Sequence, residues 1–302
     1  MAFNFSVFKV RALSAIFFVA IMLAGLLVNS WTYFILFLMI QVGCLYEYQK
    51  LMRSIFQSYA SISKIHQWGL LIVSVCMMMS LAPIDIVFPP SIQQALLTYL
   101  PGFSIRWFGL KAMPVALVVM MVADVFARKA EVKNLAISFF GLIYITLSLS
   151  LFYALRGMFL NSAMSMFFAN IELMVPILVI VTVWVNDTMA YIVGSFIGRT
   201  PISPISPKKT WEGTIAGVVL SVVILSTIAG EYIPIATKYL YMITIVASVM
   251  GNLGDLFESK LKRLAGVKDS GSMMPGHGGF LDRFDSILFA GPFVWLLLQF
   301  IF

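Results

Sequence analysis

The chain has 302 residues, of which 61% are hydrophobic and only 11% charged, against roughly 25% charged in a soluble domain. That is too little polar surface to cover a water-soluble globule, so two soluble domains of this combined length are excluded. The formal net charge of +7 is spread over loops and forms no basic, aromatic-lined groove. It argues for topogenic loops and anionic headgroups, and against nucleic acid.

About nine apolar segments are long enough to cross a hydrocarbon core of about 30 Å as helices. They fall near 12–28, 30–46, 68–87, 113–127, 135–155, 174–198, 214–230, 239–259 and 286–302, which predicts an all-α polytopic membrane protein. The first follows Lys9 and Arg11. The second begins at once after an Asn29-Ser30 turn, with no small-residue cleavage site between, so the first is expected to be a retained span. The fourth is short and is expected to be tilted or partly re-entrant. Before it lies a stretch with Pro83, Pro89, Pro90, Pro101 and Gly102; short interfacial helices are expected there, with Trp107 and Phe108 at headgroup level. Cys44 and Cys76 sit in apolar runs without ligand spacing and are expected to be buried apolar side chains. Residues 1–170 are expected to embed the chain in the membrane, and 171–302 to form a catalytic transmembrane region with polar loops at 198–213 and 258–285.

With about nine spans and a cytoplasmic N-terminus, the cytoplasmic segments hold sixteen of the 20 lysines and arginines, as the positive-inside rule requires. Both polar loops then face the cytosol, within reach of nucleotides and metal ions.

The acidic residues inside apolar segments carry the functional signal, because a charge at membrane depth costs several kcal/mol unless it meets protein, water or an ion. Asp124 has Arg128 one turn later, where an ion pair between helices is as good an explanation as a functional one. Asp187 begins a helical face continued by Tyr191, Gly194 and Gly198; the glycines admit close approach of another helix or of a ligand. Asp255, Ser259 and Lys262 share one face, with Glu258 just beside it. A carboxylate, a hydroxyl and an ammonium on one face suit a metal with phosphate ligands.

In the first polar loop three prolines lead into Lys208-Lys209-Thr210 at a helix start, a plausible polyphosphate site built from free N–H groups, ammoniums and a hydroxyl. The glycine spacing of a Walker A loop is absent. In the second loop Pro275-Gly-His-Gly-Gly279 can bring backbone amides to an anion. His277 could donate to phosphate, ligate metal or be structural. Asp282 and Asp285 are three apart with Arg283 between them, an arrangement that suits a divalent ion holding nucleotide phosphates.

These loops resemble the phosphatidate cytidylyltransferase (CDP-diacylglycerol synthase) family. The resemblance rests on Ser259, Lys262, Arg263, Lys268, Asp269, Pro275, His277, Gly278, Gly279, Asp282, Arg283 and Asp285, in unbroken spacing, with Met274 where the family usually has Leu, Ile or Phe. Upstream it takes in Asp187, Tyr191, Gly194, Gly198, Arg199 and Ser206-Pro-Lys-Lys-Thr-x-Glu-Gly213. It covers about a third of the chain; residues before 170 match only as a hydrophobic pattern.

The resemblance implies transfer of the cytidylyl group of CTP to phosphatidate, giving CDP-diacylglycerol and pyrophosphate. It implies Mg2+, with K+ as a second cation. Asp255 and Asp282 are then the expected metal carboxylates, with Asp285 near them and Asp187, Ser259 and His277 orienting ligands or metal. Lys208, Lys209, Thr210, Lys262, Arg263, Lys268 and Arg283 are expected at phosphates. The attacking phosphate oxygen is already anionic, so repulsion between polyanions is the obstacle, and cations and donors, not a nucleophile triad, are what the reaction needs. The expected setting is a bacterial inner membrane, with the site on its cytoplasmic side, and a homodimer is compatible with this reading. A secondary transporter and an enzyme acting on another lipid phosphate are the competing readings.

Overall fold

The computed structural model describes residues 5–82, 104–126, 131–160, 171–272 and 278–302. Its elements are helices α1 (Phe5–Leu27), α2 (Ser30–Ile55), a single turn α3 (Gln57–Ala60), α4 (Lys64–Ser80), α5 (Ile105–Phe126) and α6 (Val132–Gly141). A π-helical stretch, Leu142–Leu147, joins α6 to α7 (Ser148–Leu160); then come α8 (Ile171–Ile197), α9 (Trp211–Tyr232), α10 (Thr237–Leu264) and α11 (Leu281–Ile301). Among the described residues there is no β-strand, so the all-α expectation holds. Among the described residues seven helices are long and apolar enough to cross a membrane, counting Val132–Met158 as one. The 17-residue α4 and the apolar part of α1, Ile16–Leu27, are shorter. A helix stands at each of the roughly nine expected positions, but only seven have full spanning length.

Several boundaries differ from expectation for local reasons. Asn29 does not merely turn the chain: it caps α2 in a reciprocal box, its Oδ1 accepting from Thr32 N at 2.8 Å and its own N–H donating to Thr32 Oγ1 at 3.1 Å. The fourth span is no short segment. α5 has 22 residues with Pro114 inside it and takes in Trp107 and Phe108. Arg106, Lys111 and Pro114 hid its first two turns from hydropathy, whereas Gly109 reveals why they are helical. A Cβ there would stand 2.5 Å from Ser80 N and 2.6 Å from Cys76 O, so the bare backbone lets α5 lie directly on the end of α4. The proline-rich stretch 83–103 expected to carry interfacial helices lies outside the described residues.

The chain forms two compact units, residues 1–150 with 265–284, and residues 151–264 with 285–302. In the first, buried polar side chains satisfy one another, as apolar surroundings demand. Gln41 Nε2 donates to Ser74 O and Oγ at 2.8 and 2.7 Å. Asp124 pairs with His66 Nδ1 at 2.5 Å, and His66 Nε2 meets Ser138 Oγ at 2.7 Å. Tyr59 also reaches Ser138 Oγ, at 2.9 Å, and burial pushes its phenol up. The histidine thus accounts for Asp124; Arg128, the partner expected from sequence, lies outside the described residues.

In the second unit α8 and α9 lie backbone to backbone. A Cβ on Gly213 would stand 2.6 Å from Ala190 O, and one on Gly217 2.7 Å from Asn186 O. Gly194 of α8 faces Thr210 and Gly213, and Gly198, just past the helix end, faces Thr210. The glycine face that follows Asp187 is therefore a helix-packing face.

Candidate active site

In the second unit the polar residues gather where α8, α9 and α10 meet the loop 198–210. α10 continues to Leu264, past the expected end near 259, and carries Lys262 and Arg263 in its last turn, where positive charge complements the helix dipole. Asp255, Ser259 and Lys262 are therefore all helical. Ser259 Oγ donates to Asp255 Oδ1 at 3.2 Å, and Lys209 Nζ forms an ion pair with Asp255 Oδ2. Both partners of that pair are about three-quarters buried, with side chains 27% and 25% exposed. Lys262 pairs with Glu258, which is fully buried. Glu258 lies off the Asp255 stripe, and Lys262 turns toward it.

The loop reaches Asp255 because its backbone is closed on itself. Ile202 N donates to Lys209 O and Trp211 N to Thr200 O, both at 2.9 Å, forming an isolated bridge between Pro201 and Thr210. Glu212 accepts from Arg199 N at 3.1 Å and from Thr200 N at 3.2 Å. Arg263 Nε donates to Ile205 O at 3.4 Å, tying the end of α10 to the loop. Thr210 is the N-cap of α9, its Oγ1 accepting from Gly213 N at 3.2 Å. Lys208 is exposed. Asp187 is exposed at the α8 surface and accepts from Asn186 Nδ2 at 3.3 Å. Asp285 is buried, accepting from Ser286 N at 2.7 Å. Its backbone runs against α10 so closely that a Cβ on Gly254 would collide with Asp285 O.

In the first unit the flanks of the glycine-rich loop wrap around Asp282. Its Oδ2 accepts from Gly279 N at 2.7 Å and from Ser270 N and Oγ, both at 2.9 Å. Gly278 adopts φ +82, and a Cβ there would stand 2.6 Å from Asp282 Oδ2, so only glycine fits. Beside it sits a carboxylate that sequence reasoning missed. Glu47 of α2 accepts from Phe280 N at 3.0 Å through Oε1, and from Leu281 N at 2.9 Å and Ser270 Oγ at 2.7 Å through Oε2. Of the 275–279 amides expected at an anion, that of Gly279 is taken by Asp282, and the next two, Phe280 and Leu281, by Glu47. α11 starts at Leu281, not near 286, so its first N–H groups have no acceptor within the helix, and Glu47 supplies one to Leu281 N. The expected span around 30–46 ended one residue short of Glu47, whereas α2 runs on to Ile55; a lone carboxylate in an apolar helix was the available signal. Lys268 and Arg283 are exposed. His277 lies outside the described residues.

These are the features of a polytopic helical membrane protein that collects carboxylates, ammoniums and hydroxyls at helix ends. The chain belongs to the Cytidylyltransferase family, whose model matches residues 9–301. It is 51% identical over 121 residues to the phosphatidate cytidylyltransferase of Bacillus subtilis (strain 168), a match covering 39% of this chain and 45% of that protein. It is 44% identical over 125 residues to the phosphatidate cytidylyltransferase of Synechocystis sp., covering 41% of this chain and 42% of the other. It is 43% identical over 116 residues to the chloroplastic phosphatidate cytidylyltransferase 4 of Arabidopsis thaliana, covering 38% and 29%. The chain thus spans less than half the length of these curated relatives.

Proposed function

We propose that this protein transfers the cytidylyl group of CTP to phosphatidate, releasing pyrophosphate and leaving CDP-diacylglycerol in the membrane. The observation that carries this reading is the ion pair of Lys209 with Asp255. It joins the two motifs that a family of cytidylyltransferases would need together, a lysine loop for phosphate and a helix carboxylate for metal.

In the proposed reaction an anionic oxygen of phosphatidate attacks the α-phosphorus of CTP in line and pyrophosphate leaves. Lys208, Lys209, Lys262, Arg263, Lys268 and Arg283 offset the combined phosphate charge and align the reactants. Asp255 suits Mg2+, which takes one or two protein carboxylates and completes its shell with water and phosphate. Among the described residues, the two Asp255 oxygens meet a lysine and a serine hydroxyl. When bound, the ion would polarise the phosphates and neutralise charge that develops on them. Asp282 and Asp285 are the further metal carboxylates of this proposal, with K+ as the second cation. The positive-inside bias supports a site on the cytoplasmic face of a bacterial inner membrane, where the lipid arrives laterally and the nucleotide from the cytosol.

The test is CTP-dependent pyrophosphate release by the purified protein in detergent, with and without phosphatidate. Release that requires both substrates and yields a cytidylylated lipid supports the proposal. Nucleotide or lipid movement across vesicles without release would point to the transporter reading instead.

A further inference from the structure

We propose that Glu47 is a positioning residue for Asp282: from α2 it holds the start of α11 and the Ser270 hydroxyl in the arrangement that aims the Asp282 carboxylate. The inference rests on the cytidylyl-transfer reading for its kinetic consequence, and on the first unit alone for its geometry.

Three features of α2 and the loop fit one another. Glu47 takes two consecutive backbone N–H groups, Phe280 and Leu281, at the helix N-terminus where a negative charge is most favoured. Ser270 Oγ lies 2.7 Å from Glu47 Oε2 and 2.9 Å from Asp282 Oδ2. A serine hydroxyl has one proton, so this group is shared between the two carboxylates and its orientation links them. One helical turn before Glu47, Gly43 leaves the space that the Phe280 ring fills. Gly271 and Gly279 leave the space that the Glu47 carboxylate fills, since a Cβ on either would collide with its oxygens. Glu47 is buried, 6% exposed as a residue, so its contacts compete little with water. Asp282 is fixed at its own end by Gly279 N and Ser270 N. Those donors are in turn fixed only as well as Ser270 and the 279–281 backbone are, and Glu47 holds both. Displacing a reacting group by about 1 Å costs on the order of 100-fold in rate, so a loosened loop shows first in turnover.

The test compares Glu47→Gln, which keeps one acceptor oxygen, with Glu47→Met, which keeps the volume and no strong acceptor. Each full-length protein in detergent is assayed for kcat and for the KM values of CTP and phosphatidate. Amide hydrogen exchange is followed at Phe280 and Leu281. The expected result is a graded fall in kcat, about 10-fold for Gln and about 100-fold for Met. Both KM values stay within about twofold, and exchange quickens at 280–281 while the rest of α2 stays protected. Three results overturn the proposal. One is Met turning over as fast as the wild type. Another is equal losses in Gln and Met accompanied by a collapsed thermal transition, which would make Glu47 a general stability residue. The third is unchanged exchange at 280–281, which would show that Glu47 does not hold the helix start. If wild-type protein releases no pyrophosphate from CTP and phosphatidate, the reaction reading has failed, and the exchange measurement still decides the anchoring by itself.

Discussion

Asp255 in one unit and Asp282 in the other are the same residue type, expected from sequence to do the same work, yet their surroundings are opposite. Asp255 is held by a lysine ammonium and a serine hydroxyl, both on side chains. Lys209 can pass from a carboxylate to a phosphate because one anionic oxygen replaces another at its ammonium. Asp282 accepts two backbone N–H groups and a hydroxyl, and backbone donors do not move without moving the chain. The first carboxylate is a site whose partner can be exchanged; the second is built into its loop. Charge in a membrane protein can therefore be left with exchangeable partners or fixed in a loop, and the kind of donor distinguishes the two.

Neutralising each carboxylate tests this contrast at its strongest. Asp255→Asn is expected to lower turnover by about 1,000-fold, the scale on which a single electrostatic group acts in a dry site, with the thermal midpoint nearly unchanged. Asp282→Asn is expected to lower turnover comparably and also to destabilise the protein by about 1–3 kcal/mol, since an amide turns an NH2 toward N–H donors. Near-normal activity in either variant would remove that residue from the proposed chemistry. Equal stability losses in both would erase the contrast.

Next in size is Lys209→Met. If the lysine passes from Asp255 to the nucleotide, KM for CTP rises about tenfold or more while folding stability shifts by less than about 1 kcal/mol. A thermal loss of several kcal/mol with KM unchanged would instead make the pair a structural bridge. Gly213→Ala is expected to act only on stability, costing about 1–3 kcal/mol by overpacking, because its Cβ would meet Ala190 O and Gly194 Cα at 2.6 and 2.7 Å. A stable Gly213→Ala protein would show that α8 and α9 can separate without penalty.

What the sequence exposed and what it hid follow one physical rule. Hydropathy located a helix at each expected span because transfer into hydrocarbon depends on composition over a window. It misplaced ends wherever a charge stood on a helix that continued, as at Glu47, Lys262 and the first two turns of α5. Asp187 and Asp255 were legible because a carboxylate in an apolar run is costly wherever it points, and Asp285 by its spacing from Asp282 in a polar loop. Partners were legible only at helical spacing, as with Ser259 four residues from Asp255. Lys262 was assigned to the Asp255 face but pairs with Glu258, since rotamers decide between neighbours on a helix. The contacts of Glu47 with Phe280 and Leu281 join positions 233 and 234 residues apart, and His66 with Asp124 joins positions 58 apart. No local pattern encodes such pairs; tertiary packing creates them.

Thr210 gives the smallest expected effect and the sharpest reading of the Lys209 loop. Sequence placed its hydroxyl at a substrate phosphate, whereas Oγ1 accepts from Gly213 N and caps α9. The two roles use different halves of the hydroxyl, the lone pair for the cap and the proton for a phosphate, so one substitution separates them. Thr210→Val keeps the β-branched shape and removes both halves. As a cap alone, Thr210 contributes about 1 kcal/mol. The variant should then melt lower by a few degrees with KM for CTP unchanged, and Thr210→Ser should restore the loss. If the proton also serves the nucleotide, KM for CTP rises in Thr210→Val beyond what the stability change explains, and Ser restores both. A variant with neither change would leave the start of α9 held by the Glu212 contacts to Arg199 and Thr200, making the loop closure, not the cap, the device that keeps Lys209 at Asp255.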